Sequence, residues 1–403
     1  MDLASAPLFS IVVVARNEEW PLPKLLWSLE GFLERGGEVL VVDTGSTDDT
    51  IAIAKRRGCR VEVVNEQFDS RLDSAQAARI EDRFARAGEG PLVTAGQRLF
   101  HFGEARQYAG LLAANDFVLQ LDGSDEVLAL DIDAFDGWIG SEGVSAFEYG
   151  QRYGNVELRI SRFYDRRRYQ WEGRVHELLG ATVGADAAPA SKIRCDPTQL
   201  KVRHDPNKGK SRNYLAGLAL QVLECPEKPR WWHYLGRELL YDGWYESAIP
   251  TLEAHAKMEN AWSAERSQSL CFVGDCLEKL GRGGEAMESY RRACTLDPTR
   301  REPLLRLATA CSRRREFEAA AHWARQSLDI PRTSAYPELG AWVPHSLLYW
   351  SLFWLHRRDE ARVHWDAYRA QAPQECMIQE HARLFPLATV AAREASSPQS
   401  SNG

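Results

Sequence analysis

The stretch FSIVVVARNEE, residues 9–19, runs through the continuous β-branched residues Ile11 to Val14 and then breaks into polar ones. A run apolar at every position, not every second one, predicts a strand covered on both faces. Working outward, LPKLLWSLEGFLERG (22–36) carries a helical pattern, and EVLVVD (38–43) is a second buried strand. STDDTIAIAKRRG (46–58) predicts a helix capped near Ser46 or Thr47, and CRVEVV (59–64) a third strand. Strand, helix and strand at this spacing imply βαβ units and a mostly parallel, Rossmann-like α/β sheet, with ligands at the strands' carboxyl ends. Residues 66–98 carry no clear pattern. A helix across 103–114 then leads into DFVLQLD (116–122), and strand-like VSAFEYG and VELRISRFY follow. This domain is expected to span residues 1–206.

From about residue 207 the pattern is helical, and it repeats. Gly236, Gly274 and Ala308 lie 38 and 34 residues apart, and each is followed twelve residues later by alanine: Ala248, Ala286 and Ala320. Tyr290, Ala293 and Pro298 continue the middle unit at tetratricopeptide spacing, and a looser fourth unit holds Ala361 and Pro373. An all-α, tetratricopeptide-like solenoid is therefore expected over 207–385, with a disordered tail at 386–403.

The chain has 403 residues, 44% hydrophobic and 27% charged, with a net charge of −7. Residues 1–200 carry −10 and the remainder +3, so neither half has the basic excess of a dedicated nucleic-acid binder. The cysteines at 59, 195, 225, 271, 276, 294, 311 and 376 stand singly, without a CxxC or a zinc spacing. The N-terminal stretch lacks a basic region ahead of its short apolar run, and no apolar stretch approaches the roughly 20 residues of a membrane span. A cytoplasmic protein with reduced thiols is expected.

ARNEE (15–19) and VVDTGSTDDT (41–50) both follow buried strands, where an α/β sheet receives a nucleotide. Asp43 would offer a carboxylate to the base or ribose, and Gly45 permits a tight turn. Taken with FHFGEARQYA (100–109), WEGRVHE (171–177), KVRHDPNKGKSRNY (201–214) and the repeats, these motifs resemble the family 2 glycosyltransferases of GT-A fold that carry C-terminal tetratricopeptide repeats. The resemblance implies a nucleotide-sugar donor, most often UDP-linked. It places Asp43, Gly45 and the loop Ala15, Arg16, Asn17 and Glu18 around the nucleoside, with Glu104, Ala105 and Arg106 near the nucleotide or its diphosphate. An arginine fork suits phosphate oxygens.

FVLQLDGSDEVL (117–128) ends a buried strand in three acids. The family's usual ending is LDADE, whose DxD acid bridges a divalent metal to the diphosphate. Here the acids stand as DxxDE, one residue longer. Asp125 is then the expected metal ligand with Asp122 facing the ribose; alternatively, a bulge keeps Glu126 in register. Carboxylates and phosphate oxygens suit Mn2+ or Mg2+. In WEGRVHE, His176 would complete the metal site and Glu177 or Glu172 would serve as the acceptor's base. His204 resembles a recurring family histidine near the active site, or is a domain-junction residue.

The function implied is metal-assisted hexosyl transfer from a nucleotide sugar, with inversion, to a macromolecular acceptor. A peptide or protein acceptor suits the repeats, whose surface can also mediate homodimerisation. A carbohydrate or a modified DNA base is the alternative acceptor, the latter favoured by the basic–aromatic run RFYDRRRYQW (162–171). That run also reads as a strand edge with a solvated charged face, and RRR (313–315) as a charged turn between repeat helices. The competing class is a non-catalytic repeat scaffold with a degenerate α/β domain.

Overall fold

The computed structural model describes residues 6–141, 143–154, 156–182, 191–205, 214–331 and 341–372. Pro373, the tail from residue 386 and residues 206–213 of KVRHDPNKGKSRNY lie outside these residues.

β1 (Phe9–Ala15) is a buried strand of the sheet, as its unbroken apolar run requires. It is followed by α1 (Leu22–Ser28), α2 (Glu30–Glu34), β2 (Glu38–Asp43), α3 (Thr50–Arg56) and β3 (Arg60–Val63). Then come β4 (Asp69–Arg71), α4 (Ser74–Phe84), β5 (Arg98–Phe100), α5 (Phe102–Leu112) and β6 (Phe117–Asp122). The remaining strands are β7 (Asp125–Leu130), β8 (Val144–Tyr153), β9 (Val156–Asp165), β10 (Tyr169–Glu172), β11 (Leu178–Ala181), β12 (Ser191–Arg194) and β13 (Leu200–His204), with α6 (Ile132–Ile139) after β7. The main sheet runs β3-β2-β1-β6-β9-β8-β13-β7, with β12 beside β8. Its first four strands are parallel, and β9 reverses direction against β6.

Alternate residues of the parallel strands feed two cores. Phe9, Ile11, Val13, Val39 and Val41 pack with Leu22, Leu25 and Leu26 of α1 and with Phe32. Val12, Leu40, Val42 and Val118 pack with Ala109 of α5, Tyr164 and Trp171. That is why apolar residues fall on both faces of these strands.

Three local expectations need correction. The helix over 22–36 is two helices, broken at Leu29. The Ser28 hydroxyl donates to the Leu25 carbonyl at 2.6 Å and accepts the Val127 amide at 3.0 Å, a back-bond that bends a helix. The helix expected from Ser46 begins at Thr50, because Ser46 and Thr47 are held by Asp43 and Asn17 instead. The unpatterned stretch contains α4, opened by a capping box between Asp73 and Gln76.

The described elements after β13 are helical: α7 (Leu215–Glu224), α8 (Pro229–Tyr241), α9 (Tyr245–Lys257), α10 (Ser263–Lys279) and α11 (Gly283–Leu296). α12 (Glu302–Arg313), α13 (Phe317–Asp329), α14 (Val343–Trp354) and α15 (Arg358–Gln371) follow, and the RRR stretch falls at the turn joining α12 to α13. The chain divides into two compact units, Met1–His255 and Ala256–Gly403. None of the described helices is long and apolar enough to cross a membrane.

The periodic small residues sit where neighbouring helices approach closely. A Cβ on Gly236 would lie 2.5 Å from Leu252, and one on Gly274 would lie 2.2 Å from the Tyr290 ring. In the next unit the same offset joins Ala308 to Ala324, both fully buried. Gly274→Ala is therefore expected to destabilise the protein by roughly 1–3 kcal/mol, the usual range for an overpacked core. Urea or thermal unfolding would measure it, and an unchanged transition would contradict the packing described.

Candidate functional site

Register brings the site's first residues into one line. Ala15 lies beside Asp43 across β1 and β2, and Val14 lies beside Asp122 across β1 and β6, all at the strands' carboxyl ends. The two loops beyond are stapled together. Asn17, with φ of 52°, donates its amide to the Ser46 hydroxyl at 2.9 Å and accepts the Thr47 amide at 2.8 Å. The Glu18 amide donates to the Thr50 hydroxyl at 2.7 Å. Asp43 is fully buried, and its carboxylate accepts the Gly45 and Ser46 amides at 3.0 and 2.9 Å as well as the Ser46 hydroxyl. Gly45, at φ of +102°, gives this turn a left-handed backbone that other residues rarely adopt. Asp43 thus builds the turn, while neighbouring Thr44 lines a cavity.

That cavity has a volume of about 440 Å3. Its walls are Val14 to Glu18, Thr44, the Arg98–Phe100 strand, Phe102, Arg174, Val175 and, from the helical region, Tyr214 and Gly217. Arg16 and Arg98 on its rim share Asp69, at 2.9 and 2.5 Å.

Gly123 and Ser124, which include the one extra residue of LDGSDE, form a short turn between β6 and β7. The turn closes on itself, since the Asp122 amide donates to Asp125 Oδ2 at 2.8 Å. It also abuts the cavity wall: a Cβ on Gly123 would lie 2.9 Å from Glu18 Cγ. β7 pairs antiparallel with β13, which sets His204 opposite Asp125, and His204 Nδ1 lies 2.7 Å from Asp125 Oδ1. Asp122, Asp125 and His204 offer ligand atoms all within 4.8 Å of one another, a set of carboxylate and imidazole donors that fits a divalent cation. The Tyr153 ring stacks on His204 at 5.6 Å, and Gln151 reaches Asp125 at 3.4 Å. Burial pushes the Asp125 carboxyl up, opposed by its bond to His204. Burial alone would lower His204, yet the bond and charge of Asp125 raise it on balance.

His176 is not part of this group. Its Nε2 lies 3.3 Å from Glu238 Oε1 on α8, with the rings of Tyr234 and Tyr214 at 4.7 and 5.4 Å. The histidine beside the acids is His204, because strand pairing, not nearness to a glutamate in sequence, decides which imidazole arrives. Glu126 is not held in register with the acids by a bulge either: it meets Arg203, and Lys24 at 3.0 Å.

Arg106, on α5, ties the rest together. Its Nη2 meets Asp122 Oδ1 at 2.6 Å and its Nε meets Glu177 Oε1 at 2.6 Å. Arg162 takes the other Asp122 oxygen at 2.7 Å. Burial would raise the Asp122 carboxyl, but the two guanidiniums hold it well below the usual carboxylate range. Arg106 also lies over the Trp171 ring at 5.4 Å, and its Nη1 is buried without a hydrogen-bond acceptor among the described residues. Glu172 is drawn elsewhere, to Lys228 at 2.9 Å, and Glu104 is an exposed first-turn residue near His101. Sequence reasoning missed Arg162, hidden in a basic run, and Tyr153, which carried no signal at all.

Residues 10–81 match the family model described as glycosyl transferase family 2. No curated protein matches the chain. Among solved structures, it is similar to MamA at 14% identity, covering 44% of this chain and 86% of that one, with a TM-score of 0.32. It is similar to pilF of Pseudomonas aeruginosa at 15% identity, covering 44% and 70%, with a TM-score of 0.32. It is also similar to glucosyl-3-phosphoglycerate synthase from Mycobacterium tuberculosis at 23% identity, covering 36% and 44%, with a TM-score of 0.24.

Arg106→Met would leave Glu177 and Asp122 short of a buried cation, a loss expected to cost roughly 3 kcal/mol near neutral pH. Because the folded-state pKa of Asp122 is depressed, its stabilisation is full above the unfolded value of about 4 and fades as pH falls below it. The gap between Arg106→Met and the unaltered protein in urea midpoints should therefore narrow in acid; a gap independent of pH would refute the pairing.

Proposed function

We propose that the chain, whose residues 10–81 match the glycosyl transferase family 2 model, is a GT-A enzyme with tetratricopeptide-like repeats that transfers a hexosyl group from a nucleotide-sugar donor, UDP-linked, to a macromolecular acceptor with inversion. The observation that carries this reading is the group Asp122, Asp125 and His204 beside a cavity walled by the Ala15–Glu18 loop. The cavity would take the nucleoside, between Thr44 and the Phe100, Phe102 and Tyr214 rings.

Asp125 and His204, 2.7 Å apart, would hold Mn2+ or Mg2+ in place of the contact between them. When bound, the cation would neutralise charge developing on the departing diphosphate. Asp122 spends both oxygens on Arg106 and Arg162, so its part is to fix the two guanidiniums. The unspent Arg106 Nη1 suits a diphosphate oxygen. Glu177, anchored through Oε1 to Arg106 and so joined to the Asp122 group, would take the acceptor's proton on its other oxygen. Glu172 fits that role less well, because its partner Lys228 lies on the α8 side of the loop, outside that group.

In this reading the acceptor is a peptide or protein, oriented by the repeats in a cytoplasmic protein. The basic run that favoured nucleic acid is committed internally: Arg162 to Asp122, Arg166 to Asp116, and Arg167 and Arg168 to Asp165. Against the scaffold reading, the LDGSDE insertion leaves the acids grouped with an imidazole.

UDP release from a panel of UDP-sugars, with Mn2+, Mg2+ or EDTA, tests the proposal. One sugar should be turned over in a metal-dependent way, and Asp125→Ala or His204→Ala should weaken Mn2+ binding by about 100-fold or more, as read by electron paramagnetic resonance. Absence of UDP binding under all conditions would sink the enzyme reading.

A further inference from the structure

The loop from Glu172 to Glu177, which supplies the candidate base, is gripped residue by residue from the helices after the sheet. Glu172 meets Lys228 at 2.9 Å. Gly173, at φ of +93°, comes so close to α7 and α8 that a Cβ would lie 2.9 Å from Trp231 and 3.1 Å from the Gln221 amide. The buried Gln221 accepts the Arg174 amide at 2.5 Å and the Val175 amide at 3.3 Å, and donates to the Val175 carbonyl at 3.5 Å. Arg174 also pairs with Glu224 at 2.9 Å, and a Cβ on Gly217 would lie 2.7 Å from Val175. His176 takes a left-handed backbone, φ of 49°, with its ring held by Tyr214, Tyr234 and Glu238. The next residue is Glu177, 2.6 Å from Arg106.

A loop has no ladder of its own to fix its path, and its buried peptide groups need partners. Here one glutamine side chain, on α7, satisfies three of them. We infer that Gln221, His176 and Glu238 are positioning residues for the base Glu177, so that the first helices after the sheet are part of the catalytic machinery and not only of an acceptor-binding array. This rests on the glycosyltransferase reading for its catalytic half. The clamp itself is a structural statement and can be tested apart from activity.

The experiment uses the full chain with Gln221→Leu, Glu238→Leu, Glu238→Gln and His176→Phe. Amide exchange of the peptide covering 171–178 should quicken by about 10-fold or more in Gln221→Leu, while β1 and β2 keep their protection and report an intact fold. In the UDP-sugar assay, Glu238→Leu and His176→Phe should lower kcat by about 10 to 100-fold with KM for the UDP-sugar changed less than about 2-fold, the signature of a displaced catalytic group. Glu238→Gln, which keeps an acceptor for the imidazole, should restore turnover. Unchanged loop exchange in Gln221→Leu overturns the clamp, whatever the enzyme's activity. A loss confined to KM, or Glu238→Leu matching the unaltered protein in kcat, overturns the positioning role. If the unaltered protein binds no UDP, the donor reading has failed, and the clamp is judged by exchange alone.

Discussion

A buried guanidinium is the constraint on which this site turns. Arg106 has a side chain only 7% exposed, and a cation so placed is tolerable only with close counter-charges. It finds them in Asp122, at the end of β6, and in Glu177, from a loop 71 residues from it in sequence. Neither acid can leave without stranding the arginine, and Asp122 must also answer Arg162. Electrostatics therefore couples the sheet's carboxyl edge to the loop beyond β10, and both are drawn to the side where the cavity opens.

The parallel strands were legible from β-branched runs such as the IVVV within FSIVVVA, and β1 and β2 begin and end where the pattern does. The helical repeat was legible from its small residues, whose spacing follows from the close approach of Gly274 to Tyr290. Less was readable where side chains compete with backbone. Ser46 and Thr47 look like helix caps, but Asp43 and Asn17 claim them first. The choice between His176 and His204 was beyond local pattern, because it depends on β13 pairing with β7, strands about 75 residues apart. Arg162 was concealed in a basic run whose members all meet acids, so composition alone suggested a charged surface.

The odd spacing in LDGSDE is also explained by pairing. β7 does not continue beside β6; it turns away and pairs with β13. The turn can thus lengthen by a residue without shifting any register inside the parallel half of the sheet. What matters for the acids is the closure of Asp122 onto Asp125, which a Gly-Ser pair allows. Spacing between acids is a weaker guide to a metal-type cluster than the partner of the strand that follows.

The docking of α7 and α8 has a consequence for how such a chain is assembled. An array of helix hairpins has open ends whose apolar faces need covering, a task usually given to a dedicated polar helix. Here the α8 face bearing Trp231 and Trp232 is met by Gly173 and by the Phe84 ring, 6.1 Å from Trp232. Glu89 caps the start of α9 through the Glu246 and Ser247 amides, at 2.8 and 2.9 Å. Within the unit Met1–His255, the sheet and its flanking helix thus cover the first helices, α7 and α8. A recombination that exchanged the later helices for others would have to carry the first helix hairpin, α7 and α8, with the sheet.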